Sequence, residues 1–165
     1  MKHKFVKYFK EILFFILVMT IFANLLSFYR SSEVNKEPLY LSSVTLLNNT
    51  PYKLPENEPV LIYFWATWCP VCKAQAQNIQ TISENYNVLT IALKSGSDAE
   101  ISEYLRSRNL DFKVINDFNA QITQKYSVFV FPTTIIYDKN GDEFFSDVGY
   151  TSTFGLRLRM WWATL

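Results

Sequence analysis

The sequence is poor in the residues that most often activate a thiol or hold a metal. It has one histidine, His3, and two cysteines, Cys69 and Cys72. A cysteine hydrolase needs a base such as histidine, and residues 31–165, which contain both cysteines, have no histidine. A zinc site built on two thiolates would need two carboxylates to complete four ligands. These two classes are therefore disfavoured, while thiol–disulfide exchange and a two-coordinate Cu(I) site stay open, since thiolates suit that ion.

Excess positive charge is confined to the start of the chain. Residues 1–30 carry a net charge of +4, and because the whole chain carries +1, residues 31–165 carry −3. Binding to nucleic acid depends largely on basic side chains that neutralise phosphates. We therefore expect no nucleic acid among the partners of residues 31–165.

Residues 12–29 form an uncharged, strongly apolar segment. Its polar interruptions are Thr20, Asn24 and Ser27. Eighteen helical residues at about 1.5 Å each measure roughly 27 Å, which is just enough for the hydrocarbon core of a bilayer. A buried helix of a soluble domain is less favoured, because the segment has no polar face. The pattern predicts a transmembrane helix held in the lipid bilayer.

Basic residues before this segment predict its orientation. Four lysines precede it: Lys2, Lys4, Lys7 and Lys10. Basic flanks stay on the cytoplasmic side of a membrane. We therefore expect a cytoplasmic tail at 1–11, a transmembrane signal anchor at 12–29, a linker at 30–39 and an exported domain at 40–165, facing the periplasm from the bacterial inner membrane. A cleaved signal peptide is the alternative, although its apolar region would usually be shorter and no clean small-x-small site follows.

Both cysteines stand in the segment Cys69-Pro70-Val71-Cys72, between an apolar strand predicted at 60–64 and a helix predicted from Pro70 to about Tyr86. A thiol at a helix start lies near unpaired N–H groups and the positive end of the helix dipole, which stabilise its thiolate. A disulfide that encloses two residues constrains the unfolded chain little, so its structural value is small. The spacing therefore favours a redox-active pair.

The rest of the sequence alternates between strand and helix patterns. We predict a weak hairpin within 41–54 and a helix that starts with Asp98 as its cap. The apolar run at 60–64 belongs to a strand predicted at 60–66, and further strands are predicted at 88–93, 112–115, 133–137 and 143–148. Besides the helix at 70–86, helices are predicted at 121–126 and 151–165. This order predicts an α/β fold in which helices flank a sheet of mixed strand direction.

Two helices carry explicit predictions of their buried face. In the helix that begins at Pro70, we expect Ala74, Ile79, Ile82 and Tyr86 to point inward. In the final helix, one apolar stripe follows the spacing i, i+4, i+7, i+11 and is predicted to face the core. That stripe is Phe154, Leu158, Trp161 and Leu165. The alternative is that the tryptophan pair at 161–162 contacts a membrane interface, where tryptophan is enriched.

Two motifs resemble the thioredoxin superfamily. The first is Phe64-Trp65-Ala66-Thr67-Trp68-Cys69-Pro70-Val71-Cys72-Lys73, which is similar to its active site. The second, about 60 residues later, is Val128-Phe129-Val130-Phe131-Pro132-Thr133-Thr134-Ile135-Ile136-Tyr137-Asp138-Lys139-Asn140-Gly141, which is similar to its cis-proline strand and hairpin. The resemblance covers roughly residues 40–165 and implies a thioredoxin-like fold, with a mixed sheet flanked by helices after the N-terminal transmembrane helix.

Features outside these motifs resemble one branch of the superfamily. The N-terminal anchor and the early hairpin make the chain most similar to the membrane-anchored, periplasm-facing TlpA/ResA/DsbE branch. The segment 149–159 is similar to proteins of the ScsD type (suppressor of copper sensitivity) within that branch.

The resemblance implies a role for five residues. Cys69 would be the exposed nucleophile and Cys72 the buried resolving thiol, and together they would form the redox-active disulfide. Pro132 would follow a cis peptide bond beside this pair, Phe131 would line the substrate groove, and Trp68 would shield the pair from one side. No organic cofactor and no metal is implied.

Two positions depart from the pattern of the superfamily. Thioredoxins carry a buried Asp six residues before the first cysteine, where this chain has Tyr63. Respiratory reductases of the branch carry a Glu six residues after it, where this chain has Gln75. Both familiar proton acceptors for Cys72 are therefore missing. Water and Lys73 would have to take the proton, a carboxylate would have to reach in from elsewhere, or exchange at neutral pH would be slower.

These observations predict a membrane-anchored protein thiol–disulfide oxidoreductase. The expected partners are thiols and disulfides of exported proteins, a membrane thiol-electron transporter, and the bilayer through residues 12–29. We expect the reducing direction, because Pro70 and Val71 have no charged or hydrogen-bonding side chain that would strongly stabilise the thiolate. The alternative from another class is a membrane-tethered Cu(I) carrier that uses the same two thiolates.

Overall fold

The computed structural model describes residues 8, 10–15, 17–19, 21–22, 41 and 43–165. All the described positions up to residue 22 are helical. The predicted anchor at 12–29 lies partly outside the described residues, and the linker at 30–39 lies wholly outside them. Among the residues that are described, no helix combines the length and the apolar character that crossing a bilayer requires.

The described domain begins with a small antiparallel hairpin. Its strands are β1 (Ser43–Thr45) and β2 (Pro51–Lys53), and a short 3-10 helix, Leu47–Asn49, lies between them. The prediction of a hairpin within 41–54 is confirmed. Leu41, Val44 and Tyr52 pack against the apolar core on one face of the main sheet, so the hairpin covers part of that face.

A mixed five-stranded sheet forms the centre of the domain. Its strands stand in the order β5-β4-β3-β6-β7. Their bounds are Val60–Trp65 for β3, Asn87–Leu93 for β4, Lys113–Asp117 for β5, Thr133–Tyr137 for β6 and Glu143–Val148 for β7. Strands β3, β4 and β5 are parallel, whereas β6 is antiparallel to β3 and β7 is antiparallel to β6. The predicted mixed strand direction is therefore confirmed.

Four helices accompany the sheet. They are α1 (Pro70–Ser83), α2 (Asp98–Ser107), α3 (Gln121–Lys125) and α4 (Thr153–Ala163). The start of α2 differs from the prediction by one residue. Ser97 is the cap, and its hydroxyl and the Glu100 carboxylate exchange hydrogen bonds with each other's backbone N–H in a capping box. Asp98 is instead the first helical residue, where its charge still suits the helix dipole.

Strand β3 is buried along its whole length, because side chains cover both faces of the sheet. Leu61, Tyr63 and Trp65 belong to a core cluster shared with α1, α2 and α4. Ile62 and Phe64 belong to a second cluster on the other face, together with residues of β4 and β6. Full burial of one such apolar side chain contributes about 1.5–3 kcal/mol, so this strand anchors the segment that follows it.

The predicted inward face of α1 is confirmed in part, and that of α4 is wrong. In α1, Ile79 and Ile82 are buried as expected, whereas Ala74 is exposed and Gln75 is buried. Tyr86 lies beyond the end of the helix and is partly buried against the core. In α4, the predicted stripe of Phe154, Leu158, Trp161 and Leu165 is exposed. The buried residues of α4 are Leu156, Met160 and Ala163. They follow the same helical spacing, so periodicity alone could not distinguish the stripe that packs against α1 and β6 from the stripe that faces outward.

Candidate active site

The two sequence motifs meet at one edge of the sheet. Parallel strands β3, β4 and β5 all end there, and β6 begins there, since Phe64 pairs with Thr133. Strand β7 ends at the same edge, because Thr133 pairs with Val148. The loop that carries Cys69 after β3 and the segment that carries Pro132 before β6 therefore share this edge, which we call the active-site edge.

Cys69 and Cys72 are joined in a disulfide at the start of α1, with their Cα atoms 5.2 Å apart. Cys69 is the N-cap of the helix, and its Sγ accepts a hydrogen bond from the Cys72 N–H at 3.2 Å. Pro70 suits the first helical position, because it has no N–H to leave unpaired and its φ angle already fits a helix. The pair is mostly covered, with Cys69 5% exposed and Cys72 1% exposed. Of the two sulfur-bearing residues, Cys69 is thus the more accessible.

Trp68 is held in place beside the disulfide while more than half of its surface, 56%, is exposed. Its Nε1–H donates to the Lys94 carbonyl oxygen at 3.3 Å, and the N–H of the preceding Thr67 donates to the Ser95 Oγ at 3.0 Å. The Trp68 ring contacts the Phe131 ring edge to face, with 6.1 Å between centroids. These contacts place an aromatic wall along the CxxC loop.

Pro132 is buried and follows a cis peptide bond with Phe131, the isomer that the resemblance implied. Its carbonyl oxygen accepts the Gly149 N–H at 2.8 Å, which ties the end of β7 to the start of β6. Phe131 is partly buried and packs against both core clusters. Of the five residues predicted for the site, Cys69 contacts Cys72 and Trp68 contacts Phe131, and the strand register brings Pro132 to the same edge.

Several exposed apolar side chains lie at this edge in addition to the five residues predicted for the site. Val71 of α1 is exposed, and so are Val130 and the rings of Phe118, Phe129 and Tyr150 in the loops. Phe118 follows β5, Phe129 and Val130 precede β6, and Tyr150 follows β7. The loop positions were readable from the strand order, but their exposure was not. Together they form an apolar rim on the edge that carries the disulfide, and such a surface suits a partly unfolded or extended polypeptide.

Two neutral polar side chains occupy the interior at the positions that depart from the superfamily. Tyr63 lies on the face of β3 covered by α1, and its hydroxyl has no hydrogen-bond partner among the described residues. Burial raises the pKa of Tyr63 far above its ordinary value, and the neighbouring Tyr104 adds to the shift. Gln75 is fully buried, and its Oε1 accepts the Thr151 N–H at 3.1 Å. Gln75 therefore links α1 to the connection between β7 and α4.

Tyr63→Phe should leave the free energy of unfolding unchanged or raise it by about 1 kcal/mol, since the buried hydroxyl that it removes has no partner and is costly.

The pH dependence of stability should also change. In the wild type, the raised pKa of Tyr63 means that the unfolded chain loses this proton above about pH 10 while the folded chain keeps it, so the free energy of unfolding falls with rising pH. Above about pH 10, that fall should be shallower in the variant by up to about 1.4 kcal/mol per pH unit. Denaturant unfolding of the full chain in detergent, from pH 8 to 11, measures both effects. A loss above about 1 kcal/mol at pH 8 would show that the hydroxyl has a stabilising partner.

The site offers one kind of chemistry through its own residues. A disulfide at a helix start, with one sulfur near the surface and hydrogen-bonded by a helix N–H, can accept and release a thiolate. Within the part of the chain that the structure describes, no group of three or more His, Cys, Asp or Glu side chains comes together as a set of metal ligands.

Comparison with known proteins adds a family and a fold. The AhpC/TSA family matches residues 44–142. A thioredoxin-like protein of Haemophilus influenzae is 30% identical over 163 residues, which cover 97% of either chain. The thiol-disulfide oxidoreductase ResA of Oceanobacillus iheyensis is 26% identical over 117 residues, and this match spans 68% of the present chain but 55% of ResA.

Solved structures show the same architecture. StoA of Bacillus subtilis superimposes with a TM-score of 0.64 at 16% identity, covering 77% of this chain and 98% of StoA. A secreted thiol-disulfide isomerase of Corynebacterium glutamicum gives 0.68 at 20% identity, covering 78% and 84% of the two chains. The predicted thioredoxin-like arrangement of a mixed sheet flanked by helices is thereby confirmed.

Proposed function

This chain belongs to the AhpC/TSA family, and from that premise we propose that it is a membrane-tethered thiol–disulfide oxidoreductase that reduces disulfides of exported proteins. The observation that carries the chemistry is the Cys69–Cys72 disulfide at the N-terminus of α1. Curated relatives and structural neighbours that bear the names of thiol–disulfide oxidoreductases and isomerases support the same reaction class.

The reaction starts with both cysteines reduced. The Cys69 thiolate attacks one sulfur of a substrate disulfide, and the other substrate sulfur leaves as a thiolate that takes up a proton. Cys72 then loses its proton and attacks the Cys69 sulfur, which releases the second substrate thiolate. Two electrons have moved to the substrate, and the enzyme is left with the Cys69–Cys72 disulfide.

The helix start assists this sequence at the first sulfur. The Cys72 N–H points at the Cys69 Sγ, and the α1 dipole places its positive end there, so negative charge on Cys69 is stabilised. The apolar rim and the wall formed by Trp68 and Phe131 would hold an extended segment of the substrate beside the pair. Neither Tyr63 nor Gln75 offers a carboxylate to take the Cys72 proton.

The reducing direction is supported by the two residues between the cysteines. The side chains of Pro70 and Val71 carry no hydrogen-bonding or charged group, so neither side chain stabilises a thiolate. A strongly stabilised thiolate is what makes a dithiol pair a strong oxidant. The modest stabilisation in this chain favours a lower potential, well below the roughly −120 mV of a strong oxidant such as DsbA.

Membrane tethering rests on the apolar segment at 12–29 and on the four lysines before it. A reporter active only in the periplasm, fused after Leu165, should therefore be active, and the mature protein should keep its original N-terminus. A reporter active only in the cytoplasm, fused at the same junction, serves as the control. Activity of the cytoplasmic reporter would contradict the topology, and a processed N-terminus would indicate a cleaved signal peptide.

The reducing role requires a source of electrons, because each turnover oxidises the one thiol pair that residues 31–165 contain. We expect a membrane thiol-electron transporter to supply them, and a tethered domain would meet it at high effective concentration. Acid trapping followed by alkylation in intact cells should find Cys69–Cys72 mostly reduced. Deleting the transporter should shift the pair to the disulfide. A pair that is fully oxidised with the transporter present would contradict the reducing role.

A further inference from the structure

An apolar surface on the outer side of α4 has no role in the thiol chemistry. It consists of Phe154, Leu158, Trp161, Trp162 and Leu165 together with Phe144 of β7, and we call it the C-terminal apolar face. The exposed fractions of its six side chains run from 42% to 77%. The Phe144 and Trp162 rings contact each other edge to face, with 6.1 Å between centroids, so the surface continues from the helix onto the sheet.

The size of this face is unusual for a surface that stays in water. Aromatic side chains offer roughly 150–250 Å² each, so the exposed fractions of the four aromatic residues alone correspond to on the order of 500 Å². The largest apolar patch of a typical soluble monomer measures about 300–600 Å² and is often functional. With the two leucines added, the face lies at the upper end of that range, where a functional role is expected.

The charge around the face is also distinct from that of the rest of the domain. Residues 151–165 contain Arg157 and Arg159 and no acidic residue, whereas residues 31–150 contain nine basic and fourteen acidic residues, a net charge of −5. Arg159 is partly buried in an ion pair with Asp147 at 2.9 Å. Arg157 is exposed at the border of the face. This apolar surface thus lies on a segment of net charge +2, residues 151–165, in a domain that is otherwise acidic.

We propose that the C-terminal apolar face lies on the anionic surface of the bilayer that holds residues 12–29. Tryptophan, phenylalanine and leucine on one side of a helix, with arginine at the border, are the composition of helices that lie in a membrane interface. Anionic headgroups complement Arg157, whose aliphatic stem can follow the acyl boundary while its guanidinium stays among the phosphates. The inference rests on the membrane tethering proposed above.

A second copy of the chain is a poorer occupant of this face. Pairing α4 with its own copy about a twofold axis would bring the two Arg157 side chains toward each other, and α4 has no acidic residue to pair with either of them. Like charges brought together in a contact are unfavourable. A lipid surface has the opposite charge and needs no matching of shape.

The position of the face gives the contact a consequence for the active site. Phe144 lies at the start of β7, next to Glu143, which pairs with Tyr137. Tyr137 pairs in turn with Val60, the first residue of β3, so Phe144 and Trp162 lie at the end of the sheet opposite to the active-site edge. Contact with the membrane through Phe144 and Trp162 would leave the active-site edge, at the other end of the sheet, open to exported substrates.

The tether makes a weak contact sufficient. Ten residues span at most about 33–36 Å, so the predicted linker at 30–39 keeps the domain close to the bilayer at high effective concentration. A helix with a few apolar side chains and one arginine binds free vesicles weakly. On a tethered domain, the same helix would contact the bilayer for much of the time.

The test uses the full chain in the oxidised state, one copy per lipid nanodisc, with phospholipids whose acyl chains are brominated and quench tryptophan on contact. In discs that contain phosphatidylglycerol, up to about half of the fluorescence should be quenched, because two of the four tryptophans lie on the face. Trp161→Phe/Trp162→Phe should abolish the quenching, since Trp65 is buried and Trp68 lies at the opposite edge. Phe154→Ser/Leu158→Ser should lower it at least two-fold without removing any tryptophan.

A matched variant, Phe118→Ser/Val130→Ser, removes two exposed apolar side chains at the active-site edge and should leave the quenching unchanged. Absence of quenching in a chain that is incorporated into the disc overturns the proposal, and so does equal quenching in discs of phosphatidylcholine alone. Failure of the chain to enter discs would overturn the tethering and this inference together. The rate at which the chain then reduces a soluble disulfide substrate would show whether the proposed thiol–disulfide exchange still holds. In detergent, where two copies can meet, a shift of the tryptophan emission maximum that follows dimer formation and is lost in Phe154→Ser/Leu158→Ser would instead assign the face to a second copy.

Discussion

Cys72→Ser should accumulate mixed disulfides between Cys69 and substrate proteins, whereas Cys69→Ser should accumulate none. The reason is geometric, because Cys69 caps α1 and is the more accessible of the two cysteines, at 5% exposed, while Cys72 lies one turn inside the helix and is 1% exposed. Without Cys72 the first exchange still occurs, but no second thiol is within reach to release the substrate. Catalysed reduction should fall to the uncatalysed background in either variant.

Non-reducing electrophoresis after acid quenching and alkylation measures this directly. Adducts should appear with Cys72→Ser, disappear on adding reductant, and be absent from the double variant Cys69→Ser/Cys72→Ser. In the reduced wild-type protein, Cys69 should also alkylate faster than Cys72 near neutral pH, because the helix start favours its thiolate. Adducts formed through Cys72, or faster alkylation of Cys72, would reverse the assigned roles.

Trp65→Ala should destabilise the domain by about 3–5 kcal/mol, the usual cost of deleting a large buried aromatic side chain. The Trp65 ring is buried and packs on Tyr104 and Phe112, with centroid distances of 5.4 and 5.8 Å. Its Nε1–H donates to the buried Thr90 Oγ1 at 3.0 Å, which would lose that partner. Since a domain of this size is stable by about 5–15 kcal/mol, much of its stability should be lost.

Trp68→Ala is the matched control, because it removes the same side chain three residues later from an exposed position. Its effect on unfolding should stay within about 1 kcal/mol. Its effect on exchange should be a rise in KM of about two- to ten-fold, the loss expected for one aromatic contact of about 0.5–1.5 kcal/mol. Denaturant unfolding and steady-state reduction of a protein disulfide, measured on both variants, separate the two roles. Equal stability of Trp65→Ala and the wild type would contradict the packing described for β3.

The features that the sequence predicted correctly are those determined by local patterns. The apolar run of β3 and the spacing of Cys69 and Cys72 after it depend on neighbouring residues, so the strand, the helix start and the thiol pair follow from reading along the chain. The hairpin between β6 and β7 has the same origin, since Asp138 accepts N–H groups of Asn140 and Asp142 within the turn.

The features that were missed depend on contacts between distant parts of the chain. Gln75 is buried because its Oε1 meets the Thr151 N–H, 76 residues away, and no local pattern distinguishes it from the exposed Ala74. The orientation of α4 likewise depends on which of two equally spaced apolar stripes fits against α1 and β6. The smaller stripe of Leu156, Met160 and Ala163 packs there, and the aromatic stripe is left outside.

Catalytic turnover with metal removed tests most directly whether this chain transfers electrons through Cys69 and Cys72. The full chain in detergent is supplied with a thiol reductant and a protein disulfide substrate in the presence of a Cu(I) chelator. We expect the wild type to accelerate reduction over many turnovers, the chelator to leave the rate unchanged, and Cys69→Ser to reduce no faster than the reductant alone. Stoichiometric Cu(I) binding by the two thiolates without catalytic reduction would contradict a role in thiol–disulfide exchange and indicate a metal carrier.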